Sequence, residues 1–174
     1  MSELDEEWKR RMDEAMRRAA ASGQDDVGDY LRLRQANDEA RSLGISWLLE
    51  LFNAAVGTVV RKGAGINIER TPSHSFSDGG ATMVGEQIVF RNGVRALTIE
   101  VGYPRTPQDG FITGGGLARA NVRHFGDARA GIELLLVRAG TNDLQWHEIN
   151  DGKHAGQFTE SDAQRHVIKL LGTS

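Results

Sequence analysis

The chain has five histidines and no cysteine, so thiolate metal sites, disulfides and cysteine nucleophiles are excluded. The chemistry left to it is that of imidazoles oriented by carboxylates, guanidiniums that recognise anions, and carboxyl groups perturbed by burial. The first candidate group is His74, Asp78, Tyr103, Arg105 and Asp109, with Ser75 and Ser77 beside it. An imidazole held by a carboxylate is the arrangement a general base needs. A guanidinium next to Pro104 sits on a stiffened backbone and suits two-point contact with carboxylate or phosphate. The competing expectation is that His74 and Asp78 satisfy turn amides and that Arg105 is a surface charge.

A second group, His124, His147, Glu148, Asp151 and His154, gathers at one end of the sheet if the last strands form a simple meander. The seven-residue spacing of His147 and His154 matches no metal-ligand pattern, so no metal and no cofactor are assigned. A third candidate is Glu86, flanked by Val84 and Ile88 on an apolar strand face. Buried there it would be a carboxyl with raised pKa. A bulge at Gly85 would instead turn it to water, and Arg95 could pair with it. Phosphate-loop, nucleophile-elbow, zinc-protease and dinucleotide fingerprints are all absent. Gly114-Gly115-Gly116 precedes a predicted strand and so lacks the helix N-terminus of a phosphate cradle.

These residues need elements to position them. Leu4, Trp8, Met12, Met16 and Ala19 recur every three or four residues, predicting a helix over 3–21, with Ser2 and Asp5 resembling a capping box. The basic residues from Lys9 to Arg18 interleave with acidic ones at ion-pair spacing, as on a solvated face. A second helix is expected from Asp25 to Leu43, stopped by Gly44, and a third over 46–61 that buries Leu48, Leu51, Phe52, Ala55, Val56 and Val59. Residues 56–70 carry a hairpin as the competing reading.

From Ile66 the period changes to two. Residues 71–81 are expected to form a Ser/Gly-rich loop. Asn92-Gly93 predicts a type I′ hairpin turn, which places Ile88 opposite Leu97 and Thr82 opposite Tyr103. One ribbon face then carries Val84, Glu86, Ile88, Phe90, Leu97, Ile99, Val101 and Tyr103. In this register loops 71–81 and 104–116 emerge at the same end, which is what brings the first candidate group together. Further strands are expected at 117–125, 132–138 and 144–149, the last two joined by a loop containing Gly140 and Asn142-Asp143. Phe158, Thr159 and Asp162 read as a staple and capping box that open a C-terminal helix ended by Gly172.

The expectation is therefore one α+β domain over 1–174: a helical region at 1–62, a mainly antiparallel sheet of about five to six strands over 66–149, and a helix at 159–171. A formal net charge of -3 gives no global field for nucleic acid or anionic lipid. Seventeen arginines stand against four lysines, a ratio that codon usage explains without function. No stretch reads as a membrane span or signal peptide, and the expected setting is the cytoplasm. The leading functional expectation is a non-enzymatic module that binds a protein or small anionic ligand at the two-loop end, with a homodimer as an option. Two others stay open: a small hydrolase or lyase using His74, Asp78 and Arg105, and an assembly component that makes contact through the N-terminal helix.

Overall fold

The structure is a computed structural model that describes residues 3–23, 25–141 and 143–172. The expected cap at Ser2 and Asp5, the side chain of Leu4 and the loop residue Asn142 lie outside the described residues. Two compact units are present, Met1–Ala40 and Arg41–Ser174.

In the first unit, helix α1 (Glu3–Ala21) buries Met12 and Ala19, as the apolar stripe requires. Trp8 stays half exposed with the Arg34 guanidinium 4.8 Å from its ring. Helix α2 (Asp25–Arg61) is continuous through Gly44, so the two expected helices are one. Gly44 is there for close approach. A Cβ on it would lie 2.4 Å from Leu136 Cδ2, and its carbonyl accepts a 2.9 Å hydrogen bond from Nε1 of the buried Trp146. That indole would otherwise be a buried donor without a partner. Alanine at an exposed helix glycine gains about 1 kcal/mol; Gly44→Ala is expected instead to cost about 1 to 3 kcal/mol in urea unfolding, because Leu136 has nowhere to go.

By length and composition α2 also passes for a membrane span, with a window of mean hydropathy 1.6, which corrects the expectation that no stretch does. Its buried residues Ile45, Leu48, Leu49, Phe52, Ala55 and Val56 form part of the sheet's core.

The second unit is an antiparallel meander of seven strands in chain order, rather than five to six, closed by a C-terminal helix. The strands are β1 (Asn67–Asp78), β2 (Ala81–Asn92), β3 (Arg95–Tyr103), β4 (Ala118–His124), β5 (Asp127–Arg138), β6 (Leu144–Asn150) and β7 (Lys153–Gln157), and the helix is α3 (Glu160–Leu171). The α+β class stands. The strands that the sequence pattern leaves out or incomplete are the sheet's edges. β1 starts in the period-two segment after Ile66 and runs on through most of the expected Ser/Gly-rich loop 71–81, and β7 is exposed along its whole length. β7 has no buried face and so no need to alternate, and in β1 partial burial alternates only over His74, Phe76 and Asp78, a histidine, a phenylalanine and an aspartate that leave no apolar pattern.

The β2–β3 register is also corrected. Asn92 pairs with Arg95 and Ile88 with Ile99, so the turn is Gly93-Val94 and Val84 faces Tyr103. Only Gly93 takes positive φ, at 60°, which is the type II′ pattern. Asn92 is kept in the strand by its own side chain, whose Nδ2 donates to the Gly65 carbonyl at 2.8 Å. The shift is two residues and strand parity is two, so every face assignment survives. Ile88, Phe90, Leu97, Ile99, Val101 and Tyr103 do form the core face, joined by Ala118, Ala120, Val122, Leu134, Leu136 and Trp146. The C-terminal part of α2 and α3 supply the other half of this core. At the start of α3 the Thr159 N–H and hydroxyl both donate to the Asp162 carboxylate at 2.7 Å, as expected for the cap.

Candidate functional site

The opposite face of the sheet holds the polar residues. Gln87, Glu100, Asn121 and Glu133 lie in one cross-strand row from β2 to β5, and Gly85, Gly102 and Arg119 in the next. In a flat sheet β1 and β4 would be about 14 Å apart, three strand spacings. Yet Asp78 on β1 accepts a 2.6 Å hydrogen bond from Arg119 Nε on β4, and Arg119 Nη2 donates at 3.0 Å to Glu133 on β5. Likewise His74 Nε2 is 2.8 Å from Glu100 Oε1, two strands away. The distal β1–β2 hairpin therefore curls over this face.

Two features of the chain allow the curl. The β1–β2 register shifts between Thr71 and His74, at Pro72. Gly85 and Gly102 are cross-strand partners, and a Cβ on Gly85 would lie 2.0 Å from the Val101 carbonyl oxygen. Only glycine admits that approach.

Each expected site residue can now be placed. His74 pairs with Glu100, whose other oxygen, Oε2, is buried without a hydrogen bond and 3.4 Å from Arg123 Nη1. Asp78 belongs to the Arg119 pair. Tyr103 is buried on the core face, with the Arg105 and Arg41 guanidiniums 4.3 and 4.7 Å from its ring. Asp109 ends a single 3₁₀ turn, Pro107–Asp109, and accepts from the Thr106 N–H and hydroxyl at 2.9 Å. The two connections do share an end of the sheet: a Cβ on Gly79 would be 3.0 Å from Thr113 Oγ1, and Gly110 packs on Ala81. His74, Asp78 and Arg105, however, each have a different partner.

Glu86 faces Val101 without a bulge and accepts from Arg70 Nε at 3.0 Å, so neither a bulge at Gly85 nor Arg95 is the answer to its position. Glu100, Arg119, Arg123 and Glu133 were missed in the sequence, since they only become neighbours of β1 through the curl. Pro72, Gly85 and Gly102 were the local signals of it.

The second group separates. His147 and His154 are in edge contact, ring centroids 5.3 Å apart, while His124 Nε2 lies 2.9 Å from His166 Nδ1 on α3. No group of three or more metal-ligating side chains occurs among the described residues. His166 packs near the Phe52 and Phe158 rings, and burial, then the neighbouring His124, pushes its pKa down to about 4. His124 is also lowered, by burial and by Lys169.

A histidine neutral in the fold and protonated in the unfolded chain contributes stability that is complete above the unfolded pKa of 6.5. That stability falls as pH drops from there toward about 4. On the order of 2 kcal/mol is expected to be lost across that window, the solvent-facing edge of the ring being screened. Urea midpoints measured between pH 7.5 and 4.5 check this, and His166→Leu should flatten the slope.

Comparison of the chain with protein-family models, curated proteins and solved structures gives no match.

Proposed function

We propose that the chain is a non-enzymatic binding module that takes a protein partner through the loop joining β3 to β4. The observation that carries this reading is Phe111, which is 80% exposed on the same loop as Arg105, whose guanidinium is oriented over Tyr103. Aromatic residues and arginine are the types that dominate interface energies, and an arginine stacked in place loses less freedom on binding. The glycines of the loop, with φ of 97° at Gly110, 91° at Gly114 and 75° at Gly115, leave Phe111 no bulky neighbour in sequence except Ile112. The hydrolase or lyase alternative loses the combination read from the sequence, because Asp78 is held by Arg119 and Arg105 lies over Tyr103, while the carboxylate that orients His74 is Glu100.

The test is a pull-down from native lysate beside a melting curve. Arg105→Ala and Phe111→Ala should each remove the captured partner while leaving Tm nearly unchanged. Unaltered capture by both variants would refute the loop as the interface. A lowered Tm with capture intact would make Arg105 a structural residue.

The first unit supports a second reading, assembly through the N-terminal helices, since Trp8, Tyr30 and Leu33 remain exposed in it. Deleting residues 1–23 separates the two, as only the second reading expects assembly to fail while loop binding persists.

A further inference from the structure

A cleft of about 550 Å³ opens where the start of β3, the β4–β5 turn and the last turns of α3 meet. It lies at the other end of β3 from the loop that carries Arg105, and the eight residue steps of that strand, Arg95 to Tyr103, span about 27 Å. Arg95, Arg165 and Lys169 line it against one carboxylate, Asp127. With Asp162, which pairs with Arg165, counted as well, three cations stand against two carboxylates, a net of one positive charge on a chain whose formal net charge is -3.

The cations are held in place. Arg95 Nη1 donates to the Leu171 carbonyl at 3.3 Å, Lys169 Nζ is 2.8 Å from Asp127 Oδ2, and Arg165 pairs with Asp162 one turn back on α3. Gly172, with φ 74°, passes directly beneath Arg95, where a Cβ would meet the guanidinium at 1.8 Å. The cleft also has an apolar wall. Phe125 stands at the tip of the β4–β5 turn, 77% exposed, and Ile168 is exposed on α3.

We infer that this cleft is a binding site for a phosphate monoester with a flat apolar group, the phosphoryl oxygens on Arg95, Arg165 and Lys169 and the organic part against Phe125 and Ile168. Two guanidiniums and an ammonium lining one cleft suit a multiply charged phosphoryl group better than a single carboxylate. The volume is that of a small-molecule site, so inorganic phosphate alone would leave the apolar wall unused.

The test uses the full chain titrated with phenyl phosphate, inorganic phosphate and benzoate, followed by amide NMR shifts and calorimetry at low and moderate salt. Phenyl phosphate should bind most tightly, move the amides of Phe125, Ile168 and Lys169, and weaken as salt rises. Arg165→Gln and Lys169→Gln are both exposed changes that spare the fold, and each should weaken phenyl phosphate and inorganic phosphate by on the order of tenfold, the scale of one charge-assisted contact. Phe125→Ala should weaken phenyl phosphate and leave inorganic phosphate unchanged. The proposal is overturned if millimolar phenyl phosphate moves none of those amides, if the Arg165→Gln/Lys169→Gln double variant binds as tightly as the parent, or if benzoate binds as tightly as phenyl phosphate. Arg105→Ala should have no effect here, which keeps this result separate from that of the loop.

Discussion

Replacing Arg119 by alanine is expected to cost about 3 to 5 kcal/mol, the range for removing one partner of a buried ion pair. The Arg119 and Asp78 side chains are 8% and 12% exposed, whereas the third member, Glu133, is mostly in water. The substitution therefore strands one carboxylate, that of Asp78, in a place water barely reaches, at the point where the distal hairpin is fastened to β4. Part of the loss should appear as local opening of the hairpin, visible as faster amide exchange in residues 73–84 than in the rest of β2. Removing both charges together, as Arg119→Met with Asp78→Ala, should recover much of the stability, since no unpaired charge remains. A single-variant loss below about 1 kcal/mol would show that the pair is solvated and does not hold the curl.

Phe52→Ala is expected to cost about 3 to 5 kcal/mol in denaturant unfolding, the usual range for a phenylalanine emptied from a core. Phe52 is fully buried, stacked on Phe158 with ring centroids 5.7 Å apart, and it lies in the cluster where α2, α3 and the sheet meet. Collapse around the vacancy is limited because its neighbours come from three separate elements. The loss should be strongly non-additive with Phe158→Ala, the two rings sharing one site. A second readout follows from the 6.3 Å separation of Phe52 and His166. Water admitted to the vacancy solvates the imidazole, so the acid-side decline in stability should become shallower in the variant. An unchanged pH slope would mean that the ring does not contribute to the burial of His166.

The two-loop end and the far cleft differ in how far the chain's local pattern announces them. Loop 104–116 is legible because Pro104, Pro107 and its glycines punctuate the strand pattern, and Arg105 stands out beside them. The cleft is not, since Arg95, Asp127 and Lys169 belong to three elements that touch only once α3 has docked on the sheet. Reading His124 with His147 and His154 fails for the same reason. Its hydrogen-bonded neighbour is 42 residues on in sequence, on a helix whose docking position no strand pattern encodes.

What the sequence determined by itself is what periodicity and local backbone chemistry control. The span of α1, the α3 cap at Thr159 and Asp162, the stop at Gly172 and the apolar face of the β2–β3 ribbon all depend on neighbours within a few residues. The turns show the limit of that local code. Asn92-Gly93 and Asp151-Gly152 have the same form, yet only Asp151 and Gly152, with φ of 49° and 75°, both take the positive φ of a type I′ turn. At the other site the contact between Asn92 and Gly65 moves the turn on by one residue. Tertiary structure alone decided the continuity of α2 through Gly44, where Trp146 and Leu136 explain why a glycine stands inside the helix, and the strand character of residues 71–78, whose partial burial alternates only over His74, Phe76 and Asp78. It also decided the curl that gives His74 to Glu100 and Asp78 to Arg119. A sheet's curvature is set by strand-to-strand approach at points such as Gly85 and Gly102, and that approach is a property of paired strands, not of either strand alone.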